Sequence, residues 1–182
     1  MNTGTLKKVT AGFCAATLAL TVFAPLGQPL QAQAKTVTTK ATSMNKAKKV
    51  KKGTTTVKVK KYSSYTKFKA PKTKTYKFTF SSIKALKKGT RKIFGGFVTC
   101  YKGSPTSHKS LKFKTAGGKT YTLYLCTKAY RDVNTRYGSS KVSAYTPLPK
   151  RTAKVKLKKG TTVYFQNCFS PSGGVSYKLK IK

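Results

Sequence analysis

Period two governs this sequence. From Gly53 onward, apolar residues and lysines alternate in one short run after another: Thr56-Val57-Lys58-Val59-Lys60, Tyr65-Thr66-Lys67-Phe68-Lys69-Ala70, Tyr76-Lys77-Phe78-Thr79-Phe80, Leu111-Lys112-Phe113-Lys114, Tyr121-Thr122-Leu123-Tyr124-Leu125, Val155-Lys156-Leu157-Lys158 and Tyr177-Lys178-Leu179-Lys180-Ile181-Lys182. Successive side chains of an extended strand point to opposite faces. Apolar residues on one parity and lysine on the other therefore make half-buried strands. Helical spacing is sustained nowhere in this region, and only Ser82 to Lys92 reads as a helical turn. Gly and Pro punctuate the runs at Ala70-Pro71-Lys72, Ala116-Gly117-Gly118-Lys119, Lys159-Gly160 and Ser172-Gly173-Gly174; paired glycines suit the primed turns that match strand twist. Short strands at intervals of roughly ten residues predict an all-β fold: a single antiparallel β-sandwich, jelly-roll-like, of about eight or nine strands over residues 53–182. Ile93 to Tyr101 is the longest apolar run and a predicted central strand, with Gly95-Gly96 marking a bulge or a close packing partner.

Two segments precede this region. Met1 to Ala34 has the three parts of a secretory signal peptide: Lys7 and Lys8, a mostly apolar stretch from Val9 to Phe23, and Ala32-Gln33-Ala34 at the cleavage position. Pro25, Gly27 and Pro29 interrupt the apolar stretch before it reaches the ~20 residues of a membrane span. Cys14 lies in it behind Phe13, where a lipoprotein motif has a small residue. The expectation is a secreted chain, extracellular or cell-wall associated. Residues 35–52 are Lys, Thr, Ala and Ser, with only Val37, Met44 and Val50 as larger apolar side chains. Such a composition predicts a flexible Lys-rich tail, since little burial is available to offset its ordering entropy.

The strand pairs resemble the bacterial pre-peptidase C-terminal domain, a jelly-roll β-sandwich appended to many secreted bacterial proteins. The resemblance rests on Tyr65-Thr66-Lys67-Phe68-Lys69-Ala70-Pro71 followed by Thr75-Tyr76-Lys77-Phe78-Thr79-Phe80, and on Leu157-Lys158-Lys159-Gly160-Thr161-Thr162-Val163-Tyr164-Phe165 followed by Ser176-Tyr177-Lys178-Leu179-Lys180-Ile181. It spans Gly53 to Lys182 and implies fold and export. Members of that family often carry acidic residues and some bind calcium; this sequence lacks the carboxylates for that, so the resemblance implies no metal site. Family members are usually appendages of larger enzymes, and the sequence in hand carries no catalytic domain.

Charge decides which chemistries stay open. Lys and Arg number 40 against a single acid, Asp132. One carboxylate cannot form the pair that most glycoside hydrolysis needs, nor the oxygen cage of a calcium or magnesium ion. His108, the single histidine, sits in the polar run Gly103-Ser104-Pro105-Thr106-Ser107-His108. A general base for a Ser or Cys nucleophile needs a third group to orient it, so an exposed loop residue is the simpler reading. Asp132 reads as a turn hydrogen bond or local ion pair within Arg131-Asp132-Val133-Asn134-Thr135-Arg136. Cys100, Cys126 and Cys168 follow the leader with no zinc spacing. Their odd number fits one disulfide plus a free thiol, or no disulfide. Cys126 shares parity with Tyr124, and Cys168 with Tyr164 and Gln166, which puts both off the main core face and leaves a Cys126–Cys168 bridge as the candidate pair. The expectation is a protein that is not an enzyme and takes no cofactor or metal.

What remains is the lysine grid. Lys58 and Lys60, Lys67 and Lys69, Lys112 and Lys114, Lys154 and Lys156, and Lys178 and Lys180 each project from one side of a strand. Same-face residues lie about 6.6 Å apart along a strand and neighbouring strands about 4.8 Å apart, a spacing that can neutralise an anionic polymer by counterion release. Lysine is a point charge without the planar fork of arginine, so such binding is charge-driven. The expected function is a secreted, highly cationic, non-catalytic module for anionic polymers: wall polymers such as teichoic acid, acidic glycans, nucleic acid or anionic lipid surfaces. The alternatives are a cationic effector acting on foreign membranes or nucleic acid, and a purely structural surface protein. An effector of the amphipathic type would carry a basic helix, which the sequence lacks. Tyr62, Tyr65, Tyr101, Tyr130, Tyr137 and Tyr145 could stack on bases or sugars, and equally serve as packing residues.

Overall fold

A computed structural model describes residues 35–90, 92–137, 142–171 and 173–182. The expected signal peptide, Met1–Ala34 with Cys14, lies outside the described residues. The alternating runs form the strands. Along the chain these are β1 (Lys35–Thr39), β2 (Lys48–Lys49), β3 (Gly53–Val59), β4 (Ser63–Lys69), β5 (Lys74–Ala85), β6 (Gly95–Gly103), β7 (His108–Ser110), β8 (Phe113–Thr115), β9 (Gly118–Thr120), β10 (Thr122–Cys126), helix α1 (Lys128–Tyr137), β11 (Lys150–Leu157), β12 (Thr162–Phe169) and β13 (Val175–Ile181). They pair into a seven-stranded sheet, β1-β3-β13-β5-β11-β8-β9, and a six-stranded path, β10-β6-β12-β4-β2, with β7 paired to β6 off that path.

Eight long strands carry the sandwich. Four of them, β3-β13-β5-β11, form the middle of one sheet, and β10-β6-β12-β4 form the other. Chain order alternates between the sheets except from β6 to β10. This is the strand order of a jelly roll, so the all-β sandwich expectation holds at the level of topology. The corners at Ala70-Pro71-Lys72 and Lys159-Gly160 cross between sheets and bond each other, Gly160 N–H to the Ala70 carbonyl at 2.8 Å and Ala70 N–H to the Thr161 carbonyl at 2.9 Å.

The inward parity is the one the alternation predicts. Tyr76, Phe78 and Phe80 from β5, Val175, Tyr177, Leu179 and Ile181 from β13, and Val163, Phe165 and Phe169 from β12 are all buried in a single core. Phe78 is its hub: its ring lies edge-on to Phe68, Phe113 and Phe165 at centroid distances of 5.7, 5.6 and 5.5 Å. Such T-shaped contacts stabilise beyond the area they bury. Asn167 is buried between the sheets. It accepts from the Tyr177 hydroxyl at 2.6 Å and donates to the carbonyls of Ser64 and Phe165 at 3.0 and 3.1 Å. Gly96 is a close-packing glycine rather than a bulge. Register runs through it to both neighbours, Leu125 and Phe169, and a Cβ there would stand 2.4 Å from the Phe169 ring.

Several expectations are corrected. The strands number thirteen among the described residues, not eight or nine; the additional ones are two to five residues long, and of them only β8 falls on an alternating run, Leu111-Lys112-Phe113-Lys114. The pairing is not purely antiparallel, because β1 runs parallel to β3 and β2 parallel to β4. These two strands belong to the segment expected as a flexible tail. Lys35–Lys52 instead crosses from the β3 edge of one sheet to the β4 edge of the other and covers both exposed edges. Its few apolar residues are well used: Met44, Ala47 and Val50 are buried, and Val37 packs on the core. Thr39 is buried as well, because its hydroxyl donates to the Tyr65 carbonyl at 2.9 Å and its own carbonyl accepts from Lys60 N–H at 3.0 Å. Backbone pairing supplied what composition lacked.

The helical element is also elsewhere. Ser82 to Lys92 holds no helix among its described residues: β5 continues to Ala85 through a bulge in which Ser82 adopts φ +56°. The helix is α1, opened by Thr127, whose hydroxyl accepts from Tyr130 N–H at 3.2 Å in N-cap fashion. Asp132 therefore lies exposed on a helix and not in a turn.

Candidate polyanion-binding surface

Register, which sequence alone does not give, turns separate lysines into a row. On the outer face of the seven-stranded sheet, Lys119 of β9 stands opposite Lys114 of β8, Lys114 opposite Lys154 of β11, and Lys154 opposite Lys77 of β5. Lys77 in turn exchanges backbone hydrogen bonds with Lys182 at 3.0 and 3.2 Å, just past β13. Five exposed lysines thus follow one another across five adjacent strands, over about 19 Å at the usual strand spacing. Like charges directly opposite one another destabilise a sheet. The single acid of the chain, exposed on α1, cannot neutralise five ammonium groups.

Beside this row the face turns to hydroxyls. Thr152, Thr79, Lys180 and Thr54 form the next cross-strand line, and Lys150, Ser81, Lys178 and Thr56 the one after. Thr79 and Thr152 share a hydroxyl hydrogen bond of 3.1 Å. A shallow trough of about 420 Å³ runs over these residues, with Thr and Ser hydroxyls in its floor and Lys77, Lys150, Lys178, Lys180 and Lys182 around it.

The structure divides the lysines singled out by alternation. Lys58, Lys114, Lys154, Lys156, Lys178 and Lys180 belong to the seven-stranded sheet. Lys60 follows β3 at the sheet end. Lys67 and Lys69 are on β4 of the other sheet, where Lys67 faces Tyr164 on one side and Lys49 on the other. Lys112 precedes β8, its ammonium 4.9 Å from the centre of the Tyr121 ring. The row also depends on Lys77, Lys119 and Lys182, and the trough on Lys150, which the paired-lysine pattern did not select.

The outer face of the six-stranded sheet is different chemistry. Its cross-strand lines read Tyr124, Phe97, Cys168, Ser63 and Thr122, Thr99, Gln166, Tyr65. The Tyr101 hydroxyl donates to Gln166 at 3.1 Å, and Gln166 donates to the Ser63 hydroxyl at 3.1 Å. Met44 and Ala47 lie over Tyr164, with Tyr65 and Tyr101 packed around them. Burial raises the phenol pKa values of Tyr65 and Tyr101. These two tyrosines are thus packing residues, whereas Tyr62 and Tyr145 are 61% and 70% exposed. The side chain of Tyr137 lies outside the described residues.

Cys100, Cys126 and Cys168 are all free and buried. The candidate Cys126–Cys168 bridge is not formed, and register explains why: Cys126 lies opposite Gly95 and Cys168 opposite Phe97, on the two flanks of β6. Two strand spacings, about 9.6 Å, separate them, beyond the reach of a disulfide. Both are indeed off the main core, where only Cys100 sits. Burial pushes the Cys126 thiol up to about 11 and raises Cys100 and Cys168 too. His108 is exposed on β7, edge-on to the Tyr101 ring at 5.3 Å. Among the described residues, no three His, Cys, Asp or Glu side chains gather as a metal site would require. No protein-family model and no curated protein matches this chain.

Proposed function

We propose that this is an exported, non-catalytic module that holds anionic polymers on the outer face of its seven-stranded sheet. The observation that carries the reading is the Lys119–Lys114–Lys154–Lys77–Lys182 row, four successive like-charge pairs that oppose folding unless an anion lies across them. A flexible phosphate or sulfate polymer laid along the row would release its counterions to solvent, and the hydroxyl-floored trough beside it offers donors to the same oxygens. The jelly-roll strand order is compatible with the resemblance to pre-peptidase C-terminal domains, and the leader at Met1–Ala34 supports a location in the cell wall or medium.

Retention of the purified protein on immobilised heparin and on a phosphodiester wall polymer tests this. Affinity falls linearly on a log–log salt plot, with a slope of about 0.7–0.9 per lysine engaged. Binding that ignores salt, or survives replacement of the five-lysine row unchanged, overturns the reading. A cytosolic pool of full-length chain in the producing cell overturns the export part of it.

A further inference from the structure

Arginine is rare in this chain, and one of its arginines is buried without a carboxylate. Arg151 lies on the inward parity of β11 and is 2% exposed. Its Nε donates to the Tyr124 carbonyl at 3.1 Å and an Nη2 hydrogen to the Thr146 carbonyl. Nη1 has no acceptor among the described residues. Uncompensated buried charge is expensive, and burial lowers the pKa of this guanidinium.

The surroundings form a recess. β8 pairs with β11 only at Lys114 and Lys154, so the sheet opens beside Lys150–Ala153. The β8–β9 turn makes the opposite wall. It is held there by Gly117, whose Cβ, were it present, would stand 2.3 Å from the Ser143 backbone. The space is about 550 Å³ and is lined by Arg151 together with Lys77, Lys114, Lys150 and Lys154, within the usual range for a small-molecule site.

We propose that this recess is a binding site for a phosphate monoester or pyrophosphate group, with Arg151 and the four lysines in its lining. A monoester carries close to two charges at neutral pH, where an internal diester carries one. The fork of arginine matches two phosphate oxygens at once, whereas lysine supplies only point charge. Lys77, Lys114 and Lys154 belong to both recess and row, so the recess continues the polymer track and suits a phosphorylated chain end. The inference rests on the polyanion reading for the origin of that ligand; the site itself is tested separately.

Calorimetric titration with inorganic pyrophosphate, at fixed ionic strength and with sulfate as the control, is the experiment. One saturable site per chain is expected, weakened about tenfold or more by Arg151→Gln and by Lys150→Gln, since each removes a charge-assisted bond. Lys48→Gln, exposed on β2 of the other sheet and in neither row nor recess, leaves it unchanged. If Arg151→Gln fails to fold, Lys150→Gln decides. Heat that does not saturate, matches sulfate, or ignores Lys150→Gln overturns the proposal. A 5′-phosphorylated oligodeoxythymidylate compared with its 5′-hydroxyl form separates the sources: preference for the former marks a chain end, equal binding beside a saturable pyrophosphate site marks a free phosphate compound. Loss of salt-dependent polymer retention with the pyrophosphate site intact removes the polymer reading alone.

Discussion

The two sheets share one core and differ on their outer faces. Along the seven-stranded sheet the outward parity is lysine, threonine and serine; along the six-stranded sheet it is tyrosine, phenylalanine, threonine, glutamine and cysteine, with lysine concentrated toward the β4–β2 edge. A need for solubility alone would be met by mixed charge on both faces. The six-stranded sheet has directly opposed pairs of its own, Lys67 with Lys49 and Lys102 with Lys109, but only the seven-stranded sheet extends such pairs into a row, and that works against stability there. The asymmetry therefore teaches that the charge is arranged and not merely abundant, and the arrangement is visible only through register.

Removing the row breaks the comparison most severely. Replacing Lys77, Lys114, Lys119, Lys154 and Lys182 by Gln is expected to weaken polyanion binding by about a thousandfold at physiological salt, since each engaged cation contributes several-fold through counterion release. The same variant should melt at a higher temperature than the parent in the absence of polymer, because the repulsion is gone. Weaker binding with raised stability is a combination that general damage to the fold cannot produce. An unchanged melting temperature would mean the row is not strained.

The cysteines probe the other sheet only, since all three lie on β6, β10 and β12. The Cys126 thiol is raised from 9.0 to about 11 by burial, with nearby Arg131 and Arg151 acting weakly against it. Thiolate is the reactive form, so native-state alkylation at pH 8 should run about a hundredfold slower than in denaturant on ionisation grounds alone. The sign for stability follows. The unfolded chain ionises first as pH rises, so this contribution is whole below about 9 and is lost between there and about 11. Fast labelling of native protein at pH 8 would show the six-stranded sheet to be open.

Between the faces, Asn167 and Tyr177 tie β12 to β13. Burial keeps the Tyr177 phenol protonated as a donor. Asn167→Ala removes its bonds to two carbonyls and its acceptor oxygen for the Tyr177 hydroxyl, at a cost of about 2 kcal/mol in denaturant unfolding. Row-dependent binding should survive in the folded fraction, because the lysines project from the opposite side of their sheet. If it does not, the faces are coupled through the core.

Much of this was legible in the sequence, and most of the illegible part has one cause. Alternation identifies six of the eight long strands, because every Val, Phe, Leu and Tyr on the buried parity writes the same signal; β6 shows as an apolar run, and β12, buried on both faces, does not alternate. The inward placement of Phe78 and the close approach at Gly96 follow from that pattern. Partners across strands are long-range facts. Nothing local says that Lys77 faces Lys154, or that β6 stands between Cys126 and Cys168. The 35–52 arm was misread for a related reason: its order comes from backbone pairing to β3 and β4, which composition does not record. Helix α1 was missed because it is a single short run, mostly exposed among its described side chains; its signals were the Thr127 cap and the helical spacing of Tyr130, Val133 and Tyr137.

The smallest expected effect is the one that separates classes of polymer. Phe97, Tyr124 and Tyr145 form a chain of neighbouring rings at 6.1 Å spacings on the six-stranded side, and Tyr145 is its exposed end. Tyr145→Ser should change stability by less than about 0.5 kcal/mol, as an exposed substitution does. It should leave retention on a ring-free phosphate polymer within about twofold, because charge on the other face does that work. A base stacked on Tyr145 would be worth about 1–3 kcal/mol, so a Tyr145→Ser loss of fivefold or more, confined to single-stranded nucleic acid, would make the aromatic face a second binding surface. The same loss with a base-free polymer would end the division of labour between the two faces.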